Sequence, residues 1–173
     1  YFHSSNINVM KLDPLTKEDS FEYFHQLAST LDENIKNKLF ILTNGHPILL
    51  ALAVEWLERD KPFPEVYDIT IEELSSLREN AKAILIEKFE EALVNQFLEP
   101  RRLYDNIVIQ MACIHRRFNP EILASIMNLS KEKSQEIIQE LQTFPFVKTR
   151  PYDITLHDEM RALINKYIWP KID

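Results

Sequence analysis

The chain has 173 residues, 45% of them apolar, with 20 lysines and arginines against 27 aspartates and glutamates and a single glycine, Gly45. One glycine cannot supply a phosphate-binding P-loop, which needs two, or a dinucleotide fingerprint, which needs three. The net charge of -7 is poorly suited to non-specific binding of nucleic acid or anionic membrane, and the lone Cys113 excludes an internal disulfide or a cysteine-built metal site and fits a reducing cytoplasm.

In chain order, Tyr1 rather than Met stands first, as expected of a fragment or processed chain. Tyr1 and Phe2 read as aromatics that pack on an absent upstream sheet, and the weak alternation from Asn8 to Leu12 reads as a strand of that sheet. Thr16 followed by Asp19 resembles a capping box and predicts a helix with Phe21, Phe24, Leu27 and Leu31 on one face. Asp32 can cap a second helix carrying Ile35, Leu39 and Leu42, which stops at Asn44-Gly45 in a left-handed cap. Pro47 then occupies a first helical position. The helix from there to Arg59 is apolar nearly all round, the pattern of a buried central helix, yet its run from Ile48 to Val54 is far too short to span a membrane. Lys61-Pro62-Phe63-Pro64 reads as a linker. Thr70 and Glu73 mark another helix start, and Ile86, Phe89, Leu93 and Phe97 form the seam of a long amphipathic helix.

Charge then changes. Residues 1–60 carry 5 basic and 9 acidic side chains, residues 61–98 carry 4 and 8, and residues 99–173 carry 11 and 10, which places a domain change near Pro100. Beyond it the pattern gives a helix with Leu103, Ile107, Met111 and Ile114 on its face, and a short helix opened by Asn119-Pro120 with Leu123 and Ile126. A third helix is capped by Ser130, with Ile137 and Leu141 inward. Two short strands, Phe146 to Arg150 and Ile154 to His157, precede a last helix with Met160, Leu163, Ile164 and Tyr167. Three helices, a two-stranded ribbon and a helix is the order of a winged-helix domain. The expected fold class is therefore mainly α: a helical-bundle lid followed by a winged helix with a small β-ribbon. Cys113 reads as a small core residue within an apolar helix. His3, His25 and His115 lack paired ligand spacing.

Two short motifs stand out. Gly45-His46-Pro47 is either a tight turn between core helices, or a turn that offers a flat proline ring and helix N-terminal amides to a ligand. Leu156-His157-Asp158, at the end of the second strand, reads as a local hydrogen-bonding pair with Asp158 capping the last helix. The lead-in Leu12-Asp13-Pro14-Leu15-Thr16, the turn Gly45-His46-Pro47-Ile48 before an apolar helix, and His157-Asp158 at the strand–helix junction, in this order, resemble the helical lid and winged-helix region of STAND-type signalling ATPases, the NB-ARC proteins among them. The family's turn is usually Gly-Leu-Pro-Leu and its junction Met-His-Asp. Here both leucines of the turn are replaced, and Leu156 stands for the methionine. The resemblance covers roughly residues 8–170.

That resemblance implies residues 1–16 as a remnant of an upstream nucleotide-binding domain and linker, 17–98 as a helical lid with connecting helix, and 99–173 as the winged-helix domain. It implies that Pro47 lies against adenine and His157 reaches the β-phosphate of ADP, with Gly45, His46 and Asp158 supporting them. ATP or ADP with magnesium would be bound mainly by the upstream P-loop domain and not held by this chain alone, which would then not be an enzyme by itself. A downstream sensor domain and a homo-oligomer formed on activation are the other implied partners. An imidazole beside a diphosphate is favoured in its charged form and can donate a charge-assisted hydrogen bond, so the winged helix would act as a nucleotide-gated latch. The alternatives are a winged-helix DNA-binding module of a transcription regulator and a purely structural interaction domain. The helix in the recognition position, Lys131 to Gln142, weighs against DNA because Glu132, Glu136 and Glu140 outnumber its two lysines, while Arg116, Arg117, Lys148 and Arg150 fall in turns and wing.

Overall fold

The computed structural model describes residues 13–28, 30–58, 68–98, 102–113 and 117–172. The strand expected at Asn8 to Leu12, the linker at Lys61 to Pro64, the boundary at Pro100, and the residues Tyr1, Phe2, His3, Arg59, Ile114, His115 and Arg116 lie outside them.

The described chain is mainly helical, with one small two-stranded antiparallel sheet. Its helices are α1 (Lys17–Leu27), α2 (Glu33–Thr43), α3 (Pro47–Glu58), α4 (Ile71–Ser76), α5 (Glu79–Phe97), α6 (Leu103–Cys113), α7 (Pro120–Met127), α8 (Lys131–Leu141) and α9 (Asp158–Tyr167); β1 (Val147–Thr149) and β2 (Ile154–Leu156) fall between α8 and α9, and a 3-10 turn, Trp169–Lys171, follows. None of these helices is long and apolar enough to cross a membrane.

Local chemistry accounts for most helix starts. The side chains of Asp32, Asn119 and Ser130 accept from the amides of Asn34, Ile122 and Lys133, each satisfying a donor that the first turn leaves orphaned. Thr70 and Glu73 form a reciprocal capping box. Thr16 differs: its hydroxyl accepts from the Asp19 amide but donates to Asp19 Oδ2 at 2.7 Å. The shorter aspartate meets the hydroxyl where a glutamate would reach back to the cap amide. Asn44 and Asn128, both at positive φ, end α2 and α7.

The buried apolar side chains form one cluster from Phe24 in α1 to Ile168. At its centre α3 buries every residue from Ile48 to Val54, and Trp56, the fate expected of a helix without a polar face. The long helix α5 packs against α2 and α3 and also against α9, contributing Phe89, Leu93, Val94 and Phe97 to the cluster. Phe97 meets Phe146 edge-on at 5.5 Å. At the surface Lys166 bridges Glu87 and Glu90, and Lys171 bonds Glu91, lining α9 up along α5. Exposed pairs of this kind contribute roughly 0–1 kcal/mol each, so apolar burial carries the contact.

The ribbon pairs Val147 with Leu156, Lys148 with Thr155 and Thr149 with Ile154. Phe118 adds an isolated antiparallel bridge to Ile154, giving the ribbon a third position drawn from the segment before α7. Arg161, on α9, donates to the carbonyl oxygens of Met111 and Ala112 at 2.8 and 2.9 Å. It thereby caps the C-terminal end of α6, where a cation is favoured by the helix dipole. Replacing Arg161 by Met is expected to lower stability by about 3 kcal/mol, the loss of two charge-assisted hydrogen bonds, read as a shift in the urea midpoint at unchanged slope.

Four expectations are corrected. Leu27, Leu103 and Ile126, placed with the apolar faces of their helices by spacing, are exposed, Leu27 by 47%. Leu27 is the last residue of α1, Leu103 the first of α6 and Ile126 the last but one of α7; spacing defines the direction of a face but not how far along the helix a neighbour covers it. Cys113 is exposed and not a core residue; it is the last residue of α6, and its thiol meets Asn165 Oδ1 on α9 at 3.4 Å. Asp158 does not cap α9. His157 occupies the cap position without a side-chain cap bond, and Asp158 is the first helical residue, with an exposed side chain. The strands are shorter than expected, ending at Thr149 and Leu156.

Candidate functional site

The turn between α2 and α3 is built by two successive left-handed residues. Asn44 at φ 50 closes α2, and Gly45 at φ 68 redirects the chain. A side chain at Asn44 tolerates this region, whereas Gly45 has a second reason to lack one: a Cβ there would lie 2.3 Å from the Leu15 carbonyl oxygen and 3.3 Å from Phe40 Cε2. The Leu15 amide donates to the Gly45 carbonyl at 2.9 Å. The lead-in before α1 is thus laid directly on the turn, and only glycine permits the approach.

His46 follows. Its carbonyl accepts from the Leu50 amide at 3.0 Å, which makes it the residue flanking α3. Its Nδ1 is buried without a hydrogen-bond partner. Pro47 is then the first residue of α3 and is exposed, while Ile48, Leu49 and Leu50 behind it are buried. Proline suits this position because its missing N–H would have no intrahelical acceptor there. Gly45, His46 and Pro47 therefore form one compact turn with the proline on its outer side.

The second set lies at the β2–α9 junction. The His157 amide donates to the Phe146 carbonyl at 3.0 Å, so the ribbon fixes the backbone at this point. The imidazole is half-buried. Burial first, and the Lys148 cation second, push its pKa below the ordinary histidine value, with Glu159 and Asp158 pulling weakly the other way. Beside it the structure brings together residues that are remote in sequence. Arg117, Lys148, Arg150, Arg161 and Asp158 line a cleft of about 220 Å³ whose inner wall includes Thr155. Spacing marked Arg117, Lys148 and Arg150 as basic but not as neighbours. Arg161 carries no local signal at all, since its bonds reach some fifty residues back along the chain.

The two sets stand on different elements, α3 and α9, each packed against α5. Among the described residues no group of three or more His, Cys, Asp or Glu side chains is placed to hold a metal ion. Comparison of the chain with family models, with curated proteins and with solved structures finds no match.

Proposed function

We propose that this chain is the lid and winged-helix portion of a nucleotide-switched signalling ATPase, in which Pro47 and His157 contact a nucleotide held mainly by an upstream P-loop domain. The observation that carries the reading is the turn at Gly45. The lead-in through Leu15 is hydrogen-bonded to it, and the proline it delivers is left exposed at the start of an otherwise buried helix. Proline at the first helical position serves the helix start in any case; what supports the reading is that its apolar ring is left exposed beside helix N-terminal amides, which suits a base and its phosphates.

The order α6, α7, α8, β1, β2, α9, with the Phe118–Ile154 bridge beside the ribbon, supports a winged helix for residues 99–173. In this reading the lowered pKa of His157 is part of the switch. Burial first, and Lys148 second, disfavour the charged imidazole in the free chain. A diphosphate brought against it favours the charged form, so nucleotide closure and proton uptake are linked. The latch then opens when the nucleotide no longer supplies that charge.

The test uses the protein with its ATPase core. His157→Ala is expected to reduce ADP retained through purification about ten-fold, the worth of one charge-assisted hydrogen bond. Pro47→Ala is expected to reduce it by a smaller factor, since only apolar contact with the base is lost. Unchanged ADP content in both variants overturns the reading.

A further inference from the structure

The cleft beside α9 is lined by four cationic side chains and one carboxylate. In this acidic chain the lysines of α8 and α9 are neutralised locally: Lys131 by Glu121, Lys133 by Glu136, and Lys166 by Glu87 and Glu90. Arg117, Lys148 and Arg150 are in no ion pair with a described carboxylate, yet they converge on one concavity.

The backbone explains the convergence. Lys148 lies in β1 and Arg150 follows two residues later, just beyond the strand's end, and both line the cleft. The Arg150 amide bonds the Asp153 carbonyl at 2.9 Å, closing the turn that holds this edge. Arg117 precedes Phe118, whose amide and carbonyl both bond Ile154, which sets it beside the cross-strand pair of Lys148 and Thr155. Behind them Arg161 is fixed by the Met111 and Ala112 carbonyls and by Thr155 Oγ1 at 3.4 Å. Four cations therefore face one lining carboxylate, that of Asp158. The space, about 220 Å³, lies below the roughly 300–1,000 Å³ of pockets that take drug-sized ligands. A small ligand of high negative charge fits both the size and the field.

We propose that this cleft binds a compact polyanion of the pyrophosphate class, with Arg117, Lys148 and Arg150 as its direct ligands and Arg161 as a fixed cation behind them. The guanidinium groups offer paired donors to phosphate oxygens and the ammonium a single charged donor. The ligand is either an inorganic polyphosphate or the diphosphate of a nucleotide; both present the same oxygens. The proposal goes beyond the latch at Pro47 and His157, because it requires binding by this chain without any other domain.

The experiment is calorimetric titration of the 173-residue chain with inorganic pyrophosphate at low salt, with orthophosphate, ADP and a short duplex DNA as parallel arms. Pyrophosphate is expected to bind, more weakly as salt is raised. The combined variant Arg117→Ala, Lys148→Ala, Arg150→Ala is expected to lose at least about ten-fold in affinity with an unchanged melting midpoint, since none of the three side chains is in the core. A charge-matched variant, Lys88→Ala, Lys131→Ala, Lys133→Ala, is expected to bind as the parent does. ADP binding as tightly as pyrophosphate, or more tightly, and lost in the same variant identifies the nucleotide as the source; pyrophosphate alone identifies the inorganic ion. The proposal is overturned by no heat with pyrophosphate, by equal losses in both combined variants, or by duplex binding that pyrophosphate does not compete. His157→Ala separates this site from the latch: it is expected to keep pyrophosphate affinity within a factor of about three, because His157 does not line the cleft.

Discussion

Gly45→Ala is expected to destabilise the protein by about 3 kcal/mol. Three terms act together. An L-residue held in the left-handed region costs roughly 1–2 kcal/mol more than glycine. The added Cβ falls 2.3 Å from the Leu15 carbonyl oxygen, a backbone atom that cannot rotate away. Moving that strand of chain weakens the 2.9 Å bond from the Leu15 amide to Gly45, worth about 1 kcal/mol. Against these, alanine restricts the unfolded chain and returns roughly 0.4–1 kcal/mol.

For a chain of this length the net loss corresponds to a fall of about 6–12 °C in the melting midpoint. Asn44→Gly is the control. Asn44 also sits at positive φ, 50°, but is exposed, so glycine there is expected to change stability by less than about 0.5 kcal/mol. A Gly45→Ala midpoint within 2 °C, in rough terms, of the parent would mean that the lead-in does not rest on the turn as described. The functional corollary is that Gly45→Ala displaces Pro47 without removing it. In the ATPase-core protein it should therefore reduce ADP retention at least as much as Pro47→Ala does.

The features readable in the sequence are those whose causes are local. The caps at Asp32, Asn119 and Ser130, the box at Thr70 and Glu73, the Asn44–Gly45 turn and the buried course of α3 all depend on residues within a few positions of each other. The burial of Gly45 against Leu15 does not, for the two are 30 positions apart, and the sequence showed only that a glycine was needed there. The placing of Leu27, Leu103 and Ile126 on the apolar faces failed at the same limit, because how far towards a helix end such a face is covered depends on which element lies across it. The basic cleft was the least legible feature. Its lining comes from the segment before α7, from β1, from the ribbon turn and from α9. Only the bridge between Phe118 and Ile154 and the ribbon register bring them together. Arg161 is the extreme case, a surface-like arginine in sequence that caps the neighbouring α6 from α9.

Phe146→Ala is expected to cost about 3–5 kcal/mol, the range for removing a fully buried phenylalanine, and to do so through the contact that joins the ribbon to the long helix. Phe146 is wholly buried. Its ring stands at 85° to Phe97 of α5 with centroids 5.5 Å apart, and Phe144 lies 5.4 Å away on another side. Edge-to-face pairs add roughly 0.5–1.5 kcal/mol beyond the area they bury. A double-mutant cycle of Phe146→Ala with Phe97→Ala should therefore show coupling of about that size, whereas distant independent sites add within about 0.3–0.5 kcal/mol. Coupling near zero, or a melting curve that separates into two transitions in the parent, would show that residues on either side of Pro100 fold independently. The same substitution reaches the site. The Phe146 carbonyl accepts the His157 amide, and Phe146 immediately precedes β1. Loosening it frees the start of the ribbon that positions both His157 and Lys148. At a temperature where the variant is still folded, its pyrophosphate affinity should fall by a few-fold, less than when the three cations are removed. Phe97→Ala, which leaves the ribbon backbone in place, should leave that affinity nearly unchanged while costing comparable stability. The contrast between the two variants isolates positioning of the cleft from stability of the core.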